Sequence, residues 1–191
     1  WVRMTNHAIL AASASHRWLN CPPSVRLTER IPDNGSIYAA EGSEAHELCE
    51  FKLRQLLGME AHNPLDTPIG LQYYDGTMED AATGYAAFVL ELLEEIRKTC
   101  SDPIVMVEQK LDYSRWVKDG YGTGDAVIVA DGTLHVVDFK YGTGVLVSAE
   151  GNSQMRLYAL GALDMFGELY DIDTVVMTIY QPRLSSISTG T

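Results

Sequence analysis

The dipeptide Asp131-Gly132 constrains this chain more than any other feature, because it joins two apolar runs by the shortest common β-hairpin turn. Residues 125–130 precede the dipeptide and residues 133–140 follow it, and both runs are rich in strand-forming residues such as Val. A two-residue turn fixes the register of the antiparallel pair. Continuing the pairing away from the turn places Asp125 opposite Asp138, with their Cβ atoms about 4.5–5.5 Å apart.

The remaining pattern predicts helices around this hairpin and further strands on either side of it. A two-residue hairpin preceded by an apolar run and followed by a strand–helix–strand connection requires a parallel pair inside a mixed sheet. The sequence therefore predicts an α/β or α+β fold with a mixed central sheet flanked by helices. The elements predicted outside the hairpin are strands over 104–111 and 175–180 and helices over 41–57 (with Ser43 as its N-cap), 78–99 and 150–166.

Length and composition set the outer bounds. The chain has 191 residues, of which 46% are hydrophobic, so it can build a core and a disordered acidic chain is excluded. We expect one domain over residues 4–191, with residues 1–3 a leader before Met4 and a possible truncation after Thr191. No apolar run is long enough for a membrane span. The net charge of −12, taken alone, argues against a nucleic-acid partner.

Cysteine usage indicates a reducing compartment. The chain has 3 Cys, which are far apart and form no C-x-x-C pair, so a disulfide framework is not expected. We interpret Cys49 and Cys100 as small core residues, and we expect a cytoplasmic protein without a membrane partner.

Charged side chains interrupt the strands at three places. Glu108 follows a continuous apolar run, Asp125 begins one strand, and Asp138 and Lys140 end the next. Buried carboxylates are costly unless they are paired or bind a cation. Two opposed carboxylates and a lysine suit a hard divalent cation and hydrolysis by water at a phosphate. The alternative is a solvent-facing acidic pair near a strand end, with the lysine as its salt-bridge partner.

These residues carry a resemblance to a known group of enzymes. Asp125 in one strand, Asp138-Phe139-Lys140 in the next and Gln154-x-x-x-Tyr158 on the following helix resemble the PD-(D/E)XK nuclease superfamily, in particular its RecB-like group, which includes lambda exonuclease. An upstream Gly42-x-x-x-His46 segment and the residues from Ser13 to Pro22 are also similar to that group. The match spans about Ser13 to Tyr180 and looks like a phage or prophage family. It implies a restriction-endonuclease-like αβββαβ core.

The resemblance also implies roles for individual residues. His46, Glu108, Asp125, Asp138 and the Phe139 carbonyl would bind one or two Mg²⁺ or Mn²⁺ ions. The catalytic set that it implies is Glu108, Asp125, Asp138, Lys140, Gln154 and Tyr158. His46 could instead be an ordinary surface or core histidine. Gln154 and Tyr158 could likewise be residues that only pack their helix against the sheet.

Further expectations concern DNA and iron. Ser15, Arg17 and Arg156 are candidate phosphate contacts. Some RecB-like nucleases hold an iron–sulfur cluster whose first ligand precedes a proline, as Cys21 does here, but no cysteine follows Cys100, so a cluster is not expected in this chain.

The leading hypothesis is a metal-dependent deoxyribonuclease, with exonuclease action favoured, that hydrolyses DNA phosphodiester bonds with a metal-activated water in a bacterial host cell. A phage recombination or single-strand-annealing protein is a possible partner. One alternative is a non-catalytic DNA-end-binding or recombination-partner module on a nuclease scaffold. A second is an acidic interaction protein without a metal site, which would place Asp125 and Asp138 on different faces of the sheet.

Overall fold

The computed structural model describes residues 8–28 and 35–191. Within these ranges the fold is α+β, with one mixed five-stranded sheet whose strands follow one another in chain order. The β3–β4 pair is parallel and the other neighbouring pairs are antiparallel, as the sequence pattern predicted for a mixed sheet. The strands are β1 (Ile104–Asp112), β2 (Tyr121–Ala130), β3 (Thr133–Phe139), β4 (Thr174–Gln181) and β5 (Ser186–Gly190).

The β2–β3 hairpin has the predicted register. Ala130 lies opposite Thr133, and the last recorded pair at the other end joins Ala126 to Val137. Asp131 and Gly132 have φ angles of 43° and 75°, which two-residue hairpin turns of this kind require and which Asp and Gly adopt most readily. The next position on each strand is an aspartate, so the turn determines which two acids come together at the end of this ladder.

Helices cover both faces of the sheet. They are α1 (Ser15–Asn20), α2 (Ser24–Thr28), α3 (Ile37–Leu56), α4 (Gly76–Ile96) and α5 (Ser153–Phe166). In the described part of the chain, no helix combines the length and the apolar character that a membrane span requires.

Each long helix begins at a side chain that caps it. Asp75 accepts from the Met78 N–H at the start of α4, and Asn152 accepts from the Met155 N–H at the start of α5. Helix α3 begins earlier than predicted, because Ser36 accepts from the Ala39 N–H. The predicted N-cap, Ser43, lies inside the helix and donates to the Ala39 carbonyl instead.

Two apolar clusters lie on the two faces of the sheet. The first, which we call the α3/α4 cluster, joins these helices to alternate strand residues such as Val107, Ile128 and Val137. The second, the α5 cluster, joins α5 to the intervening residues, such as Val127, Val129 and Val136. The sheet is therefore buried on both faces, which agrees with the continuous apolar runs that predicted its strands.

Two stretches differ from the sequence prediction. Residues 121–124, which precede the run over residues 125–130 and include two glycines, form the first part of β2 and pair with the end of β1. A fifth strand, β5, pairs antiparallel with β4, although its residues Ser-Ile-Ser-Thr-Gly are poor in apolar side chains. Both stretches are strands because a neighbouring strand supplies the hydrogen bonds, which overrides their weak strand propensity.

Candidate metal centre

His46 reaches the end of the sheet from α3. It follows Ala45 on the buried side of the helix, and its Nδ1 atom lies 2.9 Å from Oδ1 of Asp125. The imidazole also contacts the Phe139 ring edge-on, with ring centroids 5.3 Å apart. About 34% of the side-chain surface stays exposed. His46 is thus neither a free surface residue nor a fully buried one, but a half-buried residue bound to a carboxylate.

Asp125 is buried and uses both carboxylate oxygens. Oδ1 binds His46, and Oδ2 accepts a hydrogen bond of 2.7 Å from the main-chain N–H of Phe139. Burial alone would raise the pKa of Asp125, but the attraction of His46 and the N–H of Phe139 outweigh burial, so the pKa lies below its usual range. Asp125 is therefore a fixed anion at neutral pH.

Burial and charge shift the pKa of His46 in directions opposite to their effects on the pKa of Asp125. Burial alone would lower the pKa of His46, but the carboxylate of Asp125 outweighs this effect and raises it to about 9. Without a metal, the imidazole therefore carries a proton at neutral pH and forms an ion pair with Asp125.

Glu108 lies beside this pair through an unusual backbone conformation. The neighbouring strand pairs join Val107 to Ala126 and Gln109 to Gly124, so Glu108 occupies the position opposite Asp125. Its φ angle is 53°, in the left-handed region that residues other than glycine seldom adopt. Such a conformation costs about 1–3 kcal/mol and tends to occur at functional sites.

The environment of Glu108 favours its neutral form. Burial raises its pKa to about 8, and the negative charge of Asp125 acts in the same direction, against a smaller effect of His46. One ligand atom from each of His46, Glu108 and Asp125 lies within 4.8 Å of the others. Three of the five predicted ligands thus form one cluster.

Asp138 is held by a second set of side chains. Its Oδ2 atom lies 2.9 Å from Nζ of Lys140, and its Oδ1 atom accepts from Nε2 of Gln154, also at 2.9 Å. The same glutamine accepts from Lys140 at 3.0 Å through Oε1 and donates to the hydroxyl of Tyr158 at 3.3 Å. Gln154 and Tyr158 therefore share one face of α5 and act on the Asp138–Lys140 pair.

Burial and pairing shape the protonation of this second set. Burial raises the pKa of Asp138, and Asp125 adds to this, while Lys140 opposes it. Burial would lower the pKa of Lys140, but Asp138 outweighs it and the pKa lies above its usual value. Lys140 thus remains a cation although only 25% of its side-chain surface is exposed.

The two aspartates bind helices on opposite faces of the sheet. Asp125 binds a side chain of α3, whereas Asp138 binds a side chain of α5. The strand pairing predicted them to be neighbours, and the ladder register agrees. Asp138 follows the strand alternation toward α5, whereas Asp125 departs from it and binds α3. Their charges nevertheless interact: Asp125 raises the pKa of Asp138, and Asp138 contributes to the raised pKa of His46. The two sets therefore meet at one end of the sheet instead of lying apart on separate faces.

The donor set fits a divalent cation. One imidazole and two carboxylates suit Mn²⁺, and the carboxylates suit Mg²⁺. Among the described residues, the buried Oδ2 atom of Asp138 accepts no hydrogen bond and has Nζ of Lys140 as its ionic partner. A cation beside Asp125 would find this third carboxylate close by. The main-chain N–H of Phe139 serves Asp125, whereas a metal contact of the Phe139 carbonyl stays a prediction.

The three predicted DNA contacts have different surroundings. Ser15 is buried, and its hydroxyl lies 2.6 Å from that of Ser153 at the start of α5. Arg17 donates to the Ser24 carbonyl and the Thr28 hydroxyl, within the α1–α2 segment. Arg156 is exposed on α5, two residues beyond Gln154. Contact of these residues with DNA stays a prediction.

Sequence reasoning missed one neighbour of the site. Arg54 donates to the carbonyl of Val107, directly before Glu108, and forms an ion pair with Glu50. In the sequence the two α3 residues look like an ordinary surface pair at i,i+4 spacing. Only the packing of α3 against β1 brings them to the site.

The cysteines lie in two kinds of surroundings. Cys49 and Cys100 are buried and Cys21 is exposed. Cys49 is one helical turn from His46, and burial raises the pKa of its thiol well above the usual value, with the charges of Asp125 and Glu108 adding to the effect. Cys49 is therefore a neutral core residue near the cluster.

The sequence match agrees with the extent of this fold. Residues 7–191 match a family model described as "Protein of unknown function (DUF2800)", which thus covers both sets of site residues and the whole sheet. The chain belongs to this family.

Proposed function

We propose that this protein is a metal-dependent deoxyribonuclease that hydrolyses phosphodiester bonds in DNA, with action on DNA ends favoured. The observation that carries the proposal is the convergence of His46, Glu108 and Asp125 within 4.8 Å. The lysine beside them, bound by Asp138 and Gln154, adds a cation that can stabilise negative charge on a phosphate. The resemblance to RecB-like nucleases supports the same assignment.

Each set of side chains has its own part in this proposal. One or two Mg²⁺ or Mn²⁺ ions would be bound by His46, Glu108 and Asp125. Asp138 would contribute to the same site. When bound, such an ion supplies positive charge to a phosphate and lowers the pKa of water. Lys140 stabilises negative charge that develops on the phosphate, and Gln154 keeps its ammonium group in place. Tyr158 limits the rotation of Gln154 through its hydroxyl.

The overall acidity of the chain does not count against a DNA substrate. Several acids belong to the cluster itself, and a bound cation would offset their charge. Others, such as Glu91, Glu94 and Glu95, are exposed on α4, away from these contacts. We therefore expect DNA to bind weakly without a divalent ion and more tightly with one.

The proposal includes a cellular location and a partner. Three separate thiols and the resemblance to phage proteins are consistent with the cytoplasm of a bacterial host cell. There a recombination or single-strand-annealing protein would be a suitable partner for an enzyme that processes DNA ends.

Cleavage of linear and circular duplex DNA in Mn²⁺ tests the proposal. We expect the wild type to degrade linear DNA, and Asp138→Ala to lose this activity while it keeps its circular-dichroism spectrum. Lys98→Ala is a suitable control, because this lysine is exposed and its ion pair in the described part of the chain is with Glu95, three residues before it. Full activity of Asp138→Ala would contradict the assignment.

The rival function is a non-catalytic module that binds DNA ends on the same scaffold. Its distinguishing feature is DNA binding without turnover, so it predicts retained DNA affinity and no cleavage in any divalent ion. Calorimetric titration with Mn²⁺ separates the two further, since the absence of binding at millimolar Mn²⁺ would favour the rival.

A further inference from the structure

The side chain of Arg54 contacts the backbone at the one place where β1 departs from regular strand geometry. Its Nη2 atom donates a hydrogen bond of 3.0 Å to the carbonyl of Val107. The next residue, Glu108, has the positive φ angle. The guanidinium group is fixed in turn by Glu50, whose Oε1 atom lies 2.8 Å from Nε. One arginine thus links α3 to the peptide that precedes a metal-cluster residue.

Packing along β1 shows what this backbone conformation achieves. Before Glu108, Ile104 and Met106 pack with the α5 cluster, whereas Val107 packs with the α3/α4 cluster. After it, Leu111 packs with the α5 cluster, so the alternation has moved by one residue. In an unbroken strand, Glu108 would share the α5 face with Met106.

The shift brings Glu108 to the face on which His46 lies. Its carboxylate is grouped with His46 of α3 and with Asp125, and not with the side chains of α5. A carbonyl that points toward α3 needs a donor there, because a buried carbonyl without one is costly. Arg54 supplies this donor to the carbonyl of Val107, directly before the residue whose backbone conformation is left-handed.

We propose that Arg54 is a positioning residue: by binding the Val107 carbonyl it holds Glu108 in the left-handed conformation that keeps its carboxylate beside Asp125 and His46. The conformation of Glu108 does not depend on a bound metal, whereas the effect of Arg54 on metal affinity rests on the proposed function. Arg54 itself contributes no ligand. Its role depends on a bidentate guanidinium, which bonds Glu50 through Nε and Val107 through Nη2.

The conformation of Glu108 is tested by NMR in EDTA. The backbone ¹³C shifts of Glu108 report its left-handed conformation in the wild type, and we expect them to move to extended-strand values in Arg54→Gln. Arg115→Gln is the matched control, since Arg115 is exposed and also forms an ion pair, with Asp164, and neither residue belongs to the metal cluster. Unchanged Glu108 shifts in Arg54→Gln would overturn the inference.

The effect of Arg54 on metal affinity is tested by calorimetric titration with Mn²⁺ in a double-mutant cycle. We expect Arg54→Gln to weaken Mn²⁺ binding about tenfold in the wild-type background, a loss typical of residues that orient metal ligands. In the Glu108→Gln background the same substitution should have less than about a twofold effect, because its target is gone. Arg54→Lys should not restore affinity, since an ammonium lacks the fork that spans both acceptors.

The outcomes separate this inference from the proposed function. Equal losses of affinity in both backgrounds would show that Arg54 acts independently of Glu108 and would overturn the positioning role. A wild type that binds no Mn²⁺ would overturn the proposed function and the effect of Arg54 on metal affinity together. The NMR comparison would then still decide whether Arg54 sets the conformation of Glu108.

Discussion

Nδ1 of His46 lies 2.9 Å from Oδ1 of Asp125, although 79 residues separate them in the chain. The contact joins α3 to the sheet at the point where the β2–β3 ladder ends. It also sets the electrostatics of the site, since the same interaction raises the pKa of His46 to about 9 and holds that of Asp125 low. This ion pair occupies the position of the proposed cation, so metal binding requires the imidazole to lose its proton.

Asp125→Asn should weaken Mn²⁺ binding at least about tenfold, because it removes the charge that both His46 and a metal require. Isothermal titration calorimetry with Mn²⁺ measures this. Asp80→Asn, an exposed aspartate on α4, provides the control and should bind as the wild type does. Wild-type affinity in Asp125→Asn would exclude this carboxylate as a ligand.

Lys140→Ala should lower the rate of DNA cleavage by about 100- to 1,000-fold, as expected for the loss of one group that stabilises developing charge. DNA affinity should change little, because a single ammonium contributes a small part of phosphate binding. Single-turnover rates and a fluorescence-anisotropy titration measure the two effects separately. A large loss of affinity with an unchanged cleavage rate would assign Lys140 to DNA binding alone.

The stability of the metal-free protein should fall as the pH rises. Glu108 has a pKa of about 8 in the folded protein against 4.5 ordinarily, and His46 about 9 against 6.5. Both groups bind protons more tightly when folded, so their stabilisation is complete below the unfolded values. It is lost between pH 4.5 and about 8 for Glu108, and between pH 6.5 and about 9 for His46.

Bound Mg²⁺ should stabilise the protein more as the pH rises, because Mg²⁺ requires Glu108 and His46 without their protons. The increase in Tm on adding Mg²⁺ should therefore be larger at about pH 9 than at about pH 6, as measured by differential scanning calorimetry against EDTA. His46→Gln should show a weaker pH dependence. A Tm increase that is the same at both pH values would contradict proton release on metal binding.

Gly122→Ala should destabilise the protein by about 1–3 kcal/mol, the usual cost of overpacking. A Cβ atom at this position would lie 2.5 Å from Cε1 of the buried Tyr158 ring, which must then move and disturb its bond with Gln154. Gly142→Ala is the control, since nothing lies within 4 Å of its Cβ position. Urea unfolding measures both, and equal stabilities would mean that Tyr158 does not pack against β2.

Local chemistry explains which parts of this fold could be predicted. The Asp131-Gly132 turn determined the β2–β3 register, because a two-residue hairpin leaves the strands no freedom to slip. The start of α3 was misplaced because Ser43 and Ser36 are equally good caps in isolation. The structure uses Ser36, from which the helix continues through seven further residues that carry no strong apolar pattern.

Tertiary contacts explain what could not be predicted at the site. Apolar runs interrupted by Glu108, Asp125 and Asp138 marked the acids, because buried charge is too costly to be incidental. Nothing in the sequence marks a left-handed glutamate in a strand, since the usual residue there is glycine. The partners that fix it, Arg54 and Glu50, come from α3 and meet β1 only after the sheet and helix have packed.

The dependence of DNA cleavage on the Mn²⁺ concentration decides whether this protein is a metal-dependent nuclease. Initial rates on linear DNA should rise from zero in EDTA and reach half their maximum near the dissociation constant that calorimetry gives for Mn²⁺. In Asp125→Asn the half-maximal concentration should move upward together with that constant. Cleavage at the same rate in EDTA, or no cleavage by the wild type at any Mn²⁺ concentration, would contradict a metal-dependent nuclease.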